Sequence, residues 1–162
     1  MIQETTANDH IAILQLTRNT GMFKDLEVDT LEEVLLDYEN AVEYGHCCYT
    51  LFDENGEGVL GFIYFAPIAM TEGSWEVWWI VVDKNVQGQG YGKKLMSFAE
   101  EMILEFEGRL MMMDTSSLPH YAPTRDFYQN LGYQEVAHVP DYYAEGDGKV
   151  IFWKKLVGVV DH

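Results

Sequence analysis

The chain has 162 residues, of which 48% are hydrophobic and 14% aromatic, a composition typical of one well-packed globular domain and not of a disordered segment. Its formal net charge at pH 7 is −17, which argues against nucleic acid as a partner. No apolar run approaches the roughly 20 residues that cross a membrane, and the first residues do not resemble a secretion signal. We therefore expect a cytoplasmic protein with no membrane or nucleic-acid partner.

Two helices are predicted at the start of the chain. The run Thr6-Ala7-Asn8-Asp9 resembles a capping box, and the helix that it opens ends near Gly21. A second capping signal at Thr30 predicts a helix that stops at Gly45. The apolar residues of these helices recur at helical spacing. They are Ile11, Leu14 and Leu16 in the first, and Leu31, Val34, Leu35, Tyr38 and Val42 in the second.

Three strands follow, because the apolar pattern changes from helical spacing to short continuous runs. The strands are predicted at Cys47 to Phe52, Val59 to Pro67 and Trp75 to Val82. Asn55-Gly56 and Glu72-Gly73 supply the two turns between them. This arrangement predicts consecutive strands that pair as hairpins.

The second half of the chain alternates helices and strands. A helix follows the glycine-rich run at residues 87–94, a short strand covers Leu110 to Met113, and Pro123 and Gly132 begin and end another helix. Two final strands lie around Tyr133 to Val139 and Val150 to Leu156. The whole order predicts a mixed α/β chain with a helical crossover after the third strand. The helix after the glycine run carries Leu95, Phe98, Ala99, Met102 and Phe106.

The glycine-rich run QGQGYGKK, residues 87–94, has the composition of a phosphate-binding loop. A P-loop requires glycine at 87 and a hydroxyl residue at 94, where the chain has Gln87 and Lys94. A dinucleotide fingerprint requires a third glycine where the chain has Lys93. The pattern that remains is Gln87-x-x-Gly90-x-Gly92 between a strand and a helix. It is either a simple glycine-rich turn or a loop whose backbone amides bind a pyrophosphate.

This pattern resembles the acyl-CoA-binding motif of the GNAT superfamily of N-acyltransferases. Residues 127–133, Phe-Tyr-Gln-Asn-Leu-Gly-Tyr, are similar to a second family motif, and a strand ending at Val82 precedes the loop as in the family. The chain departs from the family at Lys84, where many members have proline. The resemblance implies a single GNAT-like domain over residues 1–162. It also implies a mixed α/β (α+β) fold, with a mostly antiparallel sheet flanked by helices and acyl-CoA at splayed, parallel fourth and fifth strands.

The resemblance also implies acetyl-CoA as co-substrate and identifies the residues that would bind it. Main-chain groups of the strand before the loop would hold the thioester carbonyl or the pantetheine, and the loop itself would hold the pyrophosphate. The strand residues are Ile80, Val81 and Val82; the loop residues are Gln87, Gly88, Gln89, Gly90, Tyr91, Gly92 and Lys93.

Three side chains are candidates for the chemistry of acetyl transfer. Glu76 resembles the glutamate that acts as general base in histone-type members, and Asp114 is the second candidate base. By resemblance, the Tyr128 hydroxyl would protonate the departing CoA thiolate. Each has a simpler interpretation, since Glu76 could be a solvent-facing strand residue and Tyr128 a core residue.

These residues predict an N-acetyltransferase that moves an acetyl group directly to a primary amine in a ternary complex. The adjacent Cys47 and Cys48 are expected to be buried, inert thiols, so no acyl-enzyme carrier is evident. Residues 1–76 hold fifteen acidic residues against Arg18 and Lys24, which favours a small cationic amine as acceptor, although acidity can also serve solubility alone. The alternatives are a protein N-terminal or lysine acetyltransferase and a non-catalytic acyl-CoA-binding domain. We expect no metal site and leave a homodimer open.

Overall fold

The computed structural model describes residues 1–157 and contains a mixed α/β fold with a seven-stranded sheet and four α-helices. The sheet order is β1-β2-β3-β4-β5-β7-β6. The β4–β5 pair is parallel, and the pairs β1–β2, β2–β3, β5–β7 and β6–β7 are antiparallel. The fold class expected from the sequence is confirmed. The strands are β1 (Ile2–Glu4), β2 (Cys47–Phe52), β3 (Val59–Pro67), β4 (Ser74–Val82), β5 (Leu110–Ser116), β6 (Gln134–Ala144) and β7 (Asp147–Lys155); the helices are α1 (His10–Asn19), α2 (Asp25–Ala41), α3 (Tyr91–Glu105) and α4 (Ala122–Asn130).

The chain divides into two compact units. The first comprises Met1–Pro67 and Val77–Ala99, and the second comprises Ile68–Glu76 and the chain from Glu100 onward. The expectation of one domain over residues 1–162 stays a prediction, and its last five residues lie outside the described part of the chain. Within residues 1–157, no helix is both long and apolar enough to traverse a bilayer. The expected cytoplasmic location also stays a prediction.

In the first unit, α1 and α2 pack on one face of the strands through a cluster of buried side chains. The cluster includes Leu14, Leu31, Leu35, Phe62 and Tyr64. The helix α1 follows the predicted capping signal, since the Thr6 amide donates a hydrogen bond to Asp9 Oδ2 at 2.9 Å. Burial of these apolar side chains is what fixes the two helices on the sheet.

The start of α2 differs from the prediction. The helix begins at Asp25, not near Thr30, and the Lys24 amide donates to Glu27 Oε1 at 3.0 Å in the capping box that opens it. The Thr30 hydroxyl bonds back to the Leu26 carbonyl inside the helix. Acidic residues in the first turn interact favourably with the helix dipole, so the earlier start is the better one.

The predicted strands Cys47–Phe52 and Val59–Pro67 are confirmed as β2 and β3, and β4 begins one residue before the predicted start. The short strand β1 was not predicted. It pairs Ile2 with Leu51 at the edge of the sheet. Cys47 and Cys48 are buried and free, as expected.

In the second unit, β5, β6 and β7 are longer than predicted. The strand β5 continues through Asp114 to Ser116, and the β6–β7 hairpin reaches Ala144 and Asp147. Every residue of β6 is exposed, so its sequence carries no alternation of buried and exposed positions that could have revealed its length. The helix α4 has proline in its first turn, as predicted.

Candidate active site

The strand β4 contains an irregularity just before the predicted cofactor-binding residues. The Asp83 amide donates to the Leu60 carbonyl at 2.8 Å, so these two residues pair at the end of β4. If the antiparallel pairing of β3 and β4 continued regularly from there, Trp79 would lie opposite Tyr64. The ring of Trp78 nevertheless stacks on Tyr64 at 5.2 Å between centroids. Trp79 packs against the cluster that contains Tyr64. Neighbours on a regular strand face opposite sides, so two consecutive tryptophans on one face indicate a β-bulge.

The bulge sets the direction of the three strand residues that follow it. Val81 is buried in the same cluster as Tyr64, so Ile80 and Val82 face the other side of the strand. The backbones of β3 and β4 approach closely here, because a Cβ at Gly61 would lie 2.7 Å from the Val81 carbonyl oxygen. A bulge leaves one backbone residue outside the ladder, which is the kind of donor that main-chain binding of a thioester or pantetheine requires.

The glycine-rich loop ends at the N-terminus of α3. The Lys94 amide donates to the Gly90 carbonyl at 3.0 Å, which closes the first turn of the helix. The amides that precede Lys94 in this turn therefore have no intrahelical acceptor, and their partial positive charge faces outward from the helix end. Lys93 is exposed beside them. This end of α3 can bind an anion such as a phosphate.

The glycine-rich loop is held in its conformation by two glycines with positive φ and by one hydrogen bond. Gly88 and Gly90 have φ of 79° and 86°, and a Cβ at either residue would meet no atom within 4 Å. Glycine is required here by the backbone conformation and not by crowding. The Gln87 side-chain nitrogen Nε2 donates to the Val82 carbonyl at 3.1 Å, which ties the start of the loop to the end of β4.

Glu76 and Asp114 lie on neighbouring strands of the second unit. Glu76 pairs with Met112 in the parallel β4–β5 ladder, and Asp114 lies two residues further along β5. Residues two apart on a strand share a face, so both carboxylates are on the same face of this pair of strands. Glu76 is half-buried and Asp114 is exposed.

Asp114 contacts two side chains that the sequence did not single out. The Tyr143 hydroxyl donates to Asp114 Oδ1 at 2.7 Å, and the Lys149 ammonium lies 3.6 Å from Asp114 Oδ2. Lys149 also lies 4.5 Å from the centroid of the Tyr142 ring. No pattern in the sequence pointed to Lys149.

Tyr128 is buried, with 5% of its surface exposed. Its ring packs against Phe152 at 5.7 Å between centroids. Burial, and to a smaller extent the negative charge of Asp114, raises the pKa of the Tyr128 hydroxyl above its ordinary range. The hydroxyl therefore keeps its proton at neutral pH, as a general acid must. Phe152 pairs with Met113 in the β5–β7 ladder, so Tyr128 packs on the face of the sheet that carries Met113.

A set of polar contacts at the ends of α4 fixes the position of Tyr128. The Tyr133 hydroxyl donates to Glu100 at 2.7 Å, and Lys154 donates to both Glu100 and the Leu131 carbonyl at 2.9 Å. At the other end, Arg125 donates to the Ser116 and Leu118 carbonyls at 2.7 and 3.0 Å. These supporting residues could not be identified from the sequence.

The predicted site residues thus fall into two sets. Glu76, Asp114 and Tyr128 belong to the second unit, and the strand and loop residues from Ile80 to Lys93 belong to the first. Within the second unit, Asp114 shares a strand face with Glu76, and Tyr128 packs on Phe152 of β7. Among residues 1–157, no three histidine, cysteine or acidic side chains gather as metal ligands.

Solved structures with this fold include several acetyltransferases. A protein assigned to the GNAT family from Desulfovibrio desulfuricans is 24% identical, with a TM-score of 0.90 and coverage of 97% of this chain and 99% of that one. The aminoglycoside 6'-N-acetyltransferase from Enterococcus faecium is 20% identical, with a TM-score of 0.73 and 99% coverage of both chains. The ribosomal-protein-S18-alanine N-acetyltransferase from Escherichia coli is 15% identical, with a TM-score of 0.77 and coverage of 100% and 97%.

The family model for the acetyltransferase (GNAT) domain matches residues 45–135, which include β4, the glycine-rich loop and Tyr128. Coenzyme A or acetyl-CoA is bound in two of the solved structures that share this fold. The family match agrees with acetyl-CoA as the expected co-substrate. The chain belongs to the GNAT acetyltransferase family, as an acetyl-CoA-dependent N-acetyltransferase.

Proposed function

We propose that the protein transfers an acetyl group from acetyl-CoA directly to the primary amine of a small cationic molecule. Both substrates are bound together, with Glu76 as general base and Tyr128 as general acid. The observation that carries the catalytic part is the position of Tyr128, which is buried near the start of the family motif at residues 127–133 with its ring against Phe152.

The proposed reaction needs a base because amines are protonated at neutral pH. An amine with an ordinary pKa of ~10.4 is neutral in about one molecule in ~2,500 at pH 7. Glu76 would accept a proton from the amine as its nitrogen attacks the thioester carbonyl. A C–N bond forms, the C–S bond breaks, and the CoA sulfur receives a proton from Tyr128. Asp114, the second candidate base, has its two oxygens beside Tyr143 and Lys149, which favours Glu76.

Acetyl-CoA would bind through main-chain groups. The end of β4, Ile80 to Val82, follows the bulge and would hold the thioester or pantetheine. The loop from Gln87 to Lys93 would hold the pyrophosphate at the N-terminus of α3. The open space around Gly88 and Gly90 supports this assignment, because a phosphate could approach the backbone there.

Direct transfer is supported by the state of the two thiols. Burial raises the pKa of Cys47 to about 11 and that of Cys48 to about 12. Both remain protonated at neutral pH, and a protonated thiol is a poor nucleophile. An acetyl-cysteine intermediate on either residue is therefore disfavoured.

The negative charge supports a cationic acceptor. The helix α2 carries acidic residues and, within Asp25–Ala41, no lysine or arginine. A surface of one charge raises the local concentration of ligands with the opposite charge. Among structures with this fold, one enzyme acts on aminoglycosides, which are cationic small molecules, and another on a ribosomal protein. The experiment therefore includes proteins as well as small amines among the acceptors.

A panel of acceptors tests this proposal. Purified protein and acetyl-CoA are mixed with a polyamine, an aminoglycoside, lysine, a neutral monoalcohol and candidate protein acceptors, and thiol release is measured. We expect CoA release with a cationic small amine, and intersecting lines in two-substrate kinetics. Release only with proteins, with a mass increase of one acetyl group, would assign the protein-acetylating function. CoA binding without release in any mixture would indicate a non-catalytic domain.

A further inference from the structure

Four side chains of the second unit, one of them a lysine, form a connected cluster. The Lys149 ammonium lies beside the carboxylate of Asp114 and the ring of Tyr142, with Tyr143 bonded to the same carboxylate. We call these four residues the ammonium cluster. The proposed chemistry uses Tyr128 and Glu76 and leaves this cluster unexplained.

A distortion of β6 brings both tyrosines to the cluster. Val139 pairs with Lys149, but the next paired residues are Ala144 and Asp147, so β6 holds three more residues than β7 between these points. Asp141 lies in this bulge with φ of 57°, and its Oδ1 accepts from the Gly146 amide at 2.8 Å. On a regular strand, adjacent tyrosines would face opposite sides. The bulge allows Tyr142 and Tyr143 to meet the same carboxylate–ammonium pair.

The contacts made by Lys149 are those of a recognition site for ammonium. A cation within about 6 Å of an aromatic centroid is attracted by the ring, and the carboxylate supplies the opposite charge. The Lys149–Asp114 distance of 3.6 Å is longer than a well-formed charged hydrogen bond, and Asp114 is 43% exposed. Exposed ion pairs of this kind are weak, so another ammonium could replace Lys149.

Asp114 also links the cluster to the proposed chemistry, because it lies on the same strand face as Glu76, the proposed base. We infer that the ammonium cluster is the site for a second, non-reacting ammonium group of the acceptor, and that Lys149 occupies this site until the acceptor displaces it. The acceptor is then a diamine or polyamine: one amine reacts in its neutral form and another binds Asp114 and the Tyr142 ring as a cation. This inference rests on the proposed function and specifies its substrate class.

The test compares a diamine with a monoamine of the same carbon chain, 1,4-diaminobutane and butylamine, at saturating acetyl-CoA. We expect kcat/KM to be higher for the diamine in the wild type. Asp114→Asn keeps the shape and removes the charge, so kcat/KM for the diamine should fall by about 10-fold or more, the scale for loss of a charged hydrogen bond. The kcat/KM for butylamine is the reference for any effect of the lost charge on the chemistry itself, so the ratio of the diamine value to the butylamine value should fall by about 10-fold. An equal loss for both amines would overturn the inference and point to Asp114 as a base.

Lys149→Met should have the opposite effect to Asp114→Asn on the use of the diamine. It keeps the apolar stem and removes the competing ammonium, so KM for the diamine should decrease by about three-fold or more. Lys155→Met is the matched control, because Lys155 is an exposed lysine on the same strand and outside the cluster. A diamine KM that is unchanged or increased in Lys149→Met would overturn the displacement of Lys149.

Calorimetry separates this inference from the proposed function. If the wild type acetylates no amine, binding of 1,4-diaminobutane to the CoA-loaded protein still reports on the cluster. Binding that is strong in Lys149→Met, weaker in the wild type and lost in Asp114→Asn supports the site without turnover. Equal affinity in the three proteins overturns it. CoA affinity and thermal unfolding of each variant show whether it is folded. If Asp114→Asn does not fold, the comparison of Lys149→Met with the wild type decides the inference.

Discussion

The raised pKa of the Tyr128 hydroxyl has two opposite effects on catalysis. It ensures that the proton is present at neutral pH, since burial disfavours the tyrosinate. It also makes complete transfer to a thiolate unfavourable, because a thiol of ordinary pKa ~8.5 is the stronger acid. Tyr128 should therefore stabilise the departing sulfur largely by donating a hydrogen bond. Most of the benefit in the transition state is therefore that of one charged hydrogen bond, and the proton passes to the sulfur only as the C–S bond finishes breaking.

Tyr128→Phe tests this role. The substitution keeps the packing against Phe152, so stability and CoA affinity should change little. Turnover should decrease by about 10- to 100-fold, from the loss of one hydrogen bond to a developing charge. The matched control is Tyr38→Phe, whose buried hydroxyl bonds to Glu4 and the Cys48 amide and not to a proposed reacting group. It should lower the melting temperature with little effect on turnover. Wild-type turnover in Tyr128→Phe would exclude the hydroxyl from catalysis.

Glu76→Gln tests the proposed base. The rate should fall at neutral pH, where few acceptor molecules are neutral, and should recover in part as pH rises and the free amine becomes abundant. Glu72→Gln is the control, because Glu72 is exposed and lies four residues earlier in the chain. The measurement is kcat/KM for the acceptor between pH 6 and pH 10. Superimposable profiles for Glu76→Gln and wild type would show that another group or water accepts the proton.

A helix or strand could be predicted where the signal for it lies within its own residues. The strands β2 and β3 are short apolar runs between turn residues, and both bounds of each are those predicted. The start of α2 was misplaced because two capping signals compete, at Lys24 and at Thr30. The strand β1 has three residues, too few for a periodic signal. The two bulges depend on pairing between strands, and pairing is not visible in a single strand's sequence.

Gly90→Asp tests the loop at the start of α3. The added carboxylate would face the proposed pyrophosphate, so CoA affinity should fall by about 100-fold or more, while the domain stays folded. Gly21→Asp imposes the same kind of backbone strain, since Gly21 has φ of 69° and a Cβ there would meet no atom within 4 Å. It should therefore reproduce any loss of stability without the loss of CoA affinity. Calorimetry that gives equal CoA affinity for wild type and Gly90→Asp would remove the loop from the site.

For the molecule as a whole, burial of ionisable groups links stability to alkaline pH. Burial raises the pKa of both thiols, and it also raises the pKa of Tyr38, Tyr64 and Tyr133. A group whose pKa is higher in the folded state stabilises the fold fully below its unfolded pKa. That contribution is lost as pH rises through the folded value.

The free energy of unfolding should therefore decrease from about pH 9 upward. The pKa of the thiols is 9.0 in the unfolded chain, whereas in the folded protein it is about 11 for Cys47 and about 12 for Cys48. Urea titrations between pH 7 and pH 11 measure this free energy. The double variant Cys47→Ala/Cys48→Ala should show a shallower decrease over the same interval. A stability that is independent of pH up to 11 would contradict the burial of these groups.

The bulge at Trp78 and Trp79 has a consequence for how the protein can be altered. If main-chain amides after the bulge hold the acetyl donor, substitution to alanine leaves those donors in place, and an alanine scan will register only packing at Ile80, Val81 and Val82. The binding of the donor at these positions would depend on the backbone conformation and not on which side chains are present. Sequence drift there would be limited by volume alone. Replacing single amides by esters would expose the donors, because it deletes the N–H and keeps every side chain.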